Sequence, residues 1–309
     1  MKSLDNLKEK IKSHKYIRVN LNEFSKTSNY IIILVSLISI GLNIFFSNYI
    51  REFGYFLIIE EKTNYIIQDT LVIYLIKDII FIVILILIFG KLKPKDIGLE
   101  KKKILPAIIV ISSIWLFYNI VGLVYTLSLN GGVVFDNEIL DDGWNVVLGQ
   151  FIGQIFGCGP FEEIIYRAFF LIQIYLLLIR RNLEEPNKIS KKALISSIII
   201  TQIFFALIHI PDRVWENQPL NEYWMDMFSL FIYGVVFVLL YLRTNNILIV
   251  AGIHALLNRT TSLFMPSFYS WIIIWIFAVL LLIFYPIIID KMKNKKHTQQ
   301  NLEEEEDKS

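Results

Sequence analysis

Glu162 and Glu163 stand side by side, with Arg167 one helical turn beyond Glu163, at the head of an apolar run that continues from Ala168 to Ile179. Ionisable groups at membrane depth cost roughly 2.5–3.5 kcal/mol each even on lenient insertion scales, so their retention points to a use. Glu163 and Arg167 have the i,i+4 spacing of a helical ion pair, which neutralises both in a low dielectric. Glu162 points about 100° away from Glu163, because one turn takes 3.6 residues, and is left to face another helix as a candidate general base. A helix beginning at Pro160 puts Glu162 in its first turn, near the positive end of the helix dipole.

Two further polar clusters lie on separate apolar segments. Phe205 and His209 are four residues apart, so ring and imidazole share a face, and Gln202 lies on the same face further back. His254 and Asn258 repeat the spacing in a segment rich in Ile, Val, Ala and Leu, and two polar side chains on one face of such a helix should point into a bundle. Each cluster alone also fits a plainer role: a charged helix start at the membrane surface, a hydrogen-bonded histidine at a helix end, an interhelical amide contact. Lys77 and Asp78 are adjacent and so face different ways, which reads as snorkelling or separate pairing. Cys158 has no base beside it and reads as an inert small residue.

The elements that must position these groups are helices in lipid. Hydrophobic residues make up 55% of the 309 and charged residues 19%, which is the composition of a polytopic membrane protein. The fold class is therefore all-α, a bundle of about eight transmembrane helices around a polar cavity. Spans are expected at residues 30–49, 71–89, 105–129, 160–179, 193–210, 224–242, 247–258 and 269–289, with 145–156 as a short interfacial or re-entrant helix. Residues 1–29 form a basic arm, 30–290 the membrane domain, with 157–258 as its motif core, and 291–309 a charged, disordered tail.

Charge orients the bundle. Of the 30 Lys and Arg, only Arg51, Lys62, Arg213 and Arg259 fall in the segments on one side, Lys77 and Arg167 fall within spans, and the rest flank the other side. By the positive-inside rule both termini are cytoplasmic and all three polar clusters fall in the outer half; the plasma membrane of a bacterium is the expected location. Three groups far apart in sequence thus share one depth. A net charge of +2 with no separate basic patch implies no nucleic-acid partner, and a single cysteine excludes an intrachain disulfide and a multi-cysteine metal site.

Glu162-Glu163-x-x-x-Arg167, Phe205-x-x-x-His209 and His254-x-x-x-Asn258, in that order and each on its own span, resemble the three-motif signature of the CAAX-protease and bacteriocin-processing (CPBP, or Abi) family, which includes the Rce1-type prenyl-protein endopeptidases. The resemblance covers about a third of the chain, Phe161 to Asn258. It implies an intramembrane endopeptidase acting on a membrane-associated protein or peptide. Glu162 and His209 would activate a water, His254 and Asn258 would bind the oxyanion, and Glu163, Arg167 and Phe205 would support them. No cofactor is required by that scheme. Glu162, His209 and His254 also make a zinc donor set, so a metal-dependent variant stays open. Two other classes remain: a non-catalytic immunity or scaffold protein on the same fold, and a proton-coupled transporter in which the same groups form a relay.

Overall fold

Lipid forces every backbone polar group to find its partner within the chain, and helices do this within one segment. The computed structural model describes residues 17–46, 56–179, 189–215, 219–264 and 267–306, all helix and connecting turns with no strand. Most of the basic arm (1–16), together with Arg51, Arg180 and Arg181, lies outside the described residues. The principal helices are α1 (Asn29–Phe45), α2 (Asp69–Phe89), α3 (Lys101–Asn130), α4 (144–179), α5 (Lys191–Leu207), α6 (Leu220–Thr244), α7 (Ile247–Asn258) and α8 (Ser267–Glu306). Six of the eight expected spans fall within one of them; 30–49 and 193–210 run past the ends of α1 at Phe45 and α5 at Leu207, and 47–49 lie outside the described residues. Among the described residues, four stretches are long and apolar enough to cross a membrane by length and composition: Asp69–Phe89, Pro94–Asn130, Glu222–Thr244 and Phe268–Ile289. With the shorter apolar helices α1 and α7, this is a polytopic helical membrane protein.

Local sequence sets the helix ends. The Ser28 and Ser190 hydroxyls accept from the backbone N–H groups of Ile31 and Ala193, and the Asn246 side chain accepts from Leu248 N–H, giving three helices an N-cap. Gly131 stops α3 in the left-handed region at φ 66°, which glycine enters without steric cost.

Three expectations change. Residues 145–156 are not a separate helix, and Pro160 does not open a new one: α4 runs unbroken from Trp144, with π-helical turns at Gln154–Cys158 and Glu163–Phe170. An interior proline clashes with the carbonyl four residues back unless the turn before it opens. The π turn provides that opening, with Gly159 N–H reaching the Gln154 carbonyl five residues back. Glu162 is therefore mid-helix, and the dipole argument for it lapses. The charged tail expected to be disordered is helical as far as Glu306. Its lysines, glutamines and glutamates are good helix formers, and extending an existing helix avoids the cost of nucleation.

Interhelix contacts fix which ends lie together. At one end, Thr27 donates to the Gly90 carbonyl, Arg18 N–H to the Leu242 carbonyl and Asn246 to the Lys103 carbonyl, gathering the basic loop of residues 91–103. At the other, Gln68 donates to the Val146 carbonyl and Asn43 to the Ile208 carbonyl. His254 lies two turns beyond Asn246, away from the basic loop. There α4 and α7 approach closely: a side chain at Gly159 would put its Cβ 2.7 Å from the Ala251 carbonyl oxygen. That approach sets the depth of the site.

Candidate active site

Glu162 is buried in the middle of α4, and three other helices reach it. From α2, Tyr74 donates its hydroxyl to Glu162 Oε1 at 2.9 Å. From the end of α5, His209 Nε2 comes to 4.0 Å of the same oxygen. From α7, His254 Nε2 lies 3.7 Å from Oε2. The Cys158 thiol, one turn earlier on α4, donates to Oε1 at 3.4 Å. The two imidazole gaps are too long for hydrogen bonds and are of the span that a single water bridges.

Both imidazoles are fixed by their other nitrogen. His209 Nδ1 is 2.7 Å from the Phe205 carbonyl, which can only accept, so Nδ1 carries the proton and Nε2 faces Glu162 as a base. His254 Nδ1 donates to Glu163 Oε1 at 2.7 Å, again directing Nε2 to Glu162. A neutral imidazole lone pair aimed at a carboxylate is repulsive unless a proton or a water stands between them. The arrangement is therefore one for holding water and moving its proton.

Glu163 and Arg167 form the expected i,i+4 pair at 3.1 Å, and neither side chain is exposed at all. The Arg167 guanidinium lies over the Phe205 ring at 3.9 Å, with the Phe237 ring centroid 5.5 Å from the same group. Phe237 in turn stacks on His254, ring centroids 5.0 Å apart. Phe205 thus does two jobs: its ring packs on Arg167 and its carbonyl sets His209. Gln202, on the same helix face as His209, is buried and donates to Thr201. Its amide oxygen and the Arg167 guanidinium crowd the open face of Gly234 on α6, where no larger residue fits without displacing them.

Asn258 sits differently from its partner. Its amide donates to Gln154 Oε1 at 3.0 Å and to Cys158 Sγ at 3.7 Å, linking it to Glu162 only through the thiol. The segment beyond it is tied to α3, where Tyr118 donates to the Thr260 carbonyl and Asn119 accepts from Leu263 N–H at 2.8 Å.

On the Oε1 side of Glu162 lies a cavity of about 50 Å³, lined by Ser39, Asn43, Tyr74, Lys77, Phe81, Phe161, Glu162, Tyr166, Ile208 and His209. By that measure it holds a few waters. Sequence reading missed the contribution of α2 to this wall. Tyr74 is three residues before Lys77 on the same helix face, so the ionisable residue at membrane depth was itself the available signal.

A carboxylate with two imidazoles is a zinc donor set in kind, but zinc needs its ligands about 2 Å from one point. Here His209 approaches Oε1 and His254 approaches Oε2, and among the described residues no group of three His, Cys, Asp or Glu side chains is disposed to hold a metal ion.

Tyr74 holds the carboxylate through a hydrogen bond to a charged acceptor, worth about 1.5–3 kcal/mol. If Glu162 acts as the base of the hydrolysis the resemblance implies, the expected result for Tyr74→Phe is a fall of about tenfold in kcat with the detergent-solubilised protein still folded, measured by steady-state peptide cleavage alongside a thermal melt.

Residues 143–260 match the family model described as type II CAAX prenyl endopeptidase Rce1-like. No curated protein and no solved structure matches the chain. The matched segment contains α4, α5, α6 and α7, and so includes Glu162, Glu163, Arg167, Phe205, His209, His254 and Asn258. It leaves out α2, which supplies Tyr74 and Lys77.

Proposed function

We infer that this integral membrane protein, an intramembrane protease of the Rce1-like CAAX endopeptidase family by its match over 143–260, hydrolyses a peptide bond of a membrane-associated protein or peptide with Glu162 as general base. A water held by Glu162 Oε1 and His209 Nε2 gives a proton to Glu162 as its oxygen attacks the scissile carbonyl carbon. The carbonyl π pair moves to oxygen. Asn258 and His254, on the Oε2 side, are the proposed donors to that oxyanion, His254 through an Nε2 that must then carry a proton in addition to the one on Nδ1, and Asn258 exchanging Gln154 for the substrate. The carbonyl then re-forms, the C–N bond breaks, and the proton on Glu162 passes to the leaving amine. Glu163, Arg167 and Phe205 keep both imidazoles in register, and no step is routed through a metal.

The observation that carries this reading is a buried carboxylate with an imidazole base nitrogen 4.0 Å from one oxygen and another 3.7 Å from the other, at the wall of a water-sized cavity. A purely structural carboxylate at this depth would be expected to pair directly with a cation. The basic-loop end is assigned to the cytoplasm with both termini, in a bacterial plasma membrane, so the site opens in the outer half.

The test compares peptide termini across the membrane proteome of cells carrying the wild-type protein and cells carrying Glu162→Gln. New carboxyl and amino termini from a single bond are expected in the wild type and absent from the variant. Identical terminus sets at equal protein abundance would refute the protease assignment.

A further inference from the structure

A pocket discriminates among side chains only where its walls cannot yield, and side chains packed at interior density yield little. The cavity beside Glu162 Oε1 has walls of that kind. Phe161 stands edge-on to Phe81, ring centroids 5.5 Å apart, and is tilted against Tyr74 at 5.4 Å. Tyr166 stands edge-on to Phe205 at 5.1 Å, and its hydroxyl shares a hydrogen bond with Ser39 at 3.2 Å. Ile208 is pinned through its carbonyl, which accepts from the Asn43 amide at 2.6 Å. Phe81, Phe161, Tyr166 and Ile208 are all buried. Widening the cavity would mean displacing rings that already pack on one another.

Volume then decides what enters. About 50 Å³ is a third of the roughly 150 Å³ that accommodates a benzene ring, which makes it room for about two heavy atoms. One of those places belongs to the attacking water of the proposed reaction, since Glu162 and His209 both line this cavity. What remains fits a hydrogen or a methyl group, with a hydroxymethyl at the limit. A hydroxyl there would meet the Ser39, Asn43 and Tyr166 polar groups of the same wall. His254 and Asn258, the proposed oxyanion donors, do not line it. With the carbonyl oxygen received on the Oε2 side, one of the two residues flanking the bond is left facing the Oε1 cavity.

We propose that this cavity is a size-limiting subsite, with Phe81, Phe161 and Ile208 as its specificity-determining walls, so that the protein cleaves beside glycine, alanine or serine. The subsite rests on the hydrolase reading, and the identity of the residues beside each cut keeps the two separable.

The probe is a digest of bacterial membrane proteins with its amino groups acetylated, so that every new amino terminus marks a cut. It is incubated in detergent with the purified wild-type protein or with Glu162→Gln, and the cuts that depend on Glu162 are sequenced. One flanking position is expected to hold glycine, alanine or serine. Leucine there should fall at least about tenfold below alanine after correction for abundance, the lower end of what one methylene is worth in a hydrophobic pocket. Phe81 has no part in the reaction scheme, and Phe81→Ala should raise valine and leucine at that position by about tenfold. Ser39→Thr keeps the hydroxyl and adds a methyl, so it should lose serine and alanine and retain glycine. Should Phe81→Ala fail to fold, Ser39→Thr carries the comparison. Glu162-dependent cuts with bulky residues on both sides overturn the subsite and leave the hydrolase reading standing, as does a residue preference that neither substitution moves. A digest with no Glu162-dependent cut overturns the hydrolase reading and the subsite with it.

Discussion

Glu162→Gln is expected to lower kcat by about 10³-fold, within the 10²–10⁴ range for removing a positioned general base, with the thermal melt of the purified protein unmoved. The amide keeps the size of the carboxylate, and its oxygen still accepts from the Tyr74 hydroxyl, which donates to Oε1 at 2.9 Å. What it cannot do is take a proton from water. His209→Ala should also lose turnover, because its Nε2 is the other group within a water's reach of Oε1, while the Phe205–Arg167 contact behind it persists. A Glu162→Gln enzyme with wild-type turnover would sink the mechanism. A cellular phenotype that survives the same substitution would favour a scaffold or immunity role, and proton flux into proteoliposomes that is lost in the variant would favour a transporter.

How far the chain could be read without coordinates follows from which signals are local. Span positions follow from apolar runs, and charge flanks ordered their ends. Those two facts placed Glu162, His209 and His254 at one depth before any contact was known. The i,i+4 spacings also transferred directly, since Glu163–Arg167 is a helical pair at 3.1 Å and Phe205 carries His209 on its carbonyl. Pro160 misled for a local reason. Proline normally marks a helix start, and only the π turn at Gln154–Cys158 lets α4 continue through it. Asn258 shares a face with His254, yet its amide turns to Gln154 and Cys158, since facing helices rather than spacing decide a partner. Tyr74 and Lys77 were missed for another reason. Nothing in the sequence states that α2 packs on α4, and the adjacency of Lys77 to Asp78 suggested dispersal rather than a cavity wall.

The second large effect is on stability, and it is asymmetric. Glu163 and Arg167 are wholly buried and paired at 3.1 Å, and removing one partner of such a pair strands the other charge at a cost of about 3–5 kcal/mol. The two removals are not equivalent here. With Arg167→Met, the Glu163 carboxylate still accepts a hydrogen bond from His254 Nδ1 at 2.7 Å. With Glu163→Gln, Arg167 keeps the Phe205 and Phe237 faces but has no carboxylate partner at hydrogen-bonding distance among the described residues, and its Nε and Nη2 make no hydrogen bond there. Glu163→Gln should therefore lower Tm by roughly 10 °C in detergent, and Arg167→Met by clearly less. The double variant removes both charges together and should be more stable than Glu163→Gln alone, a coupling of the kind double-mutant cycles measure for residues in contact. Equal and additive losses from the two single substitutions would mean that the pair is not shared with His254. In that case the link from Glu163 to the reacting carboxylate would have no support.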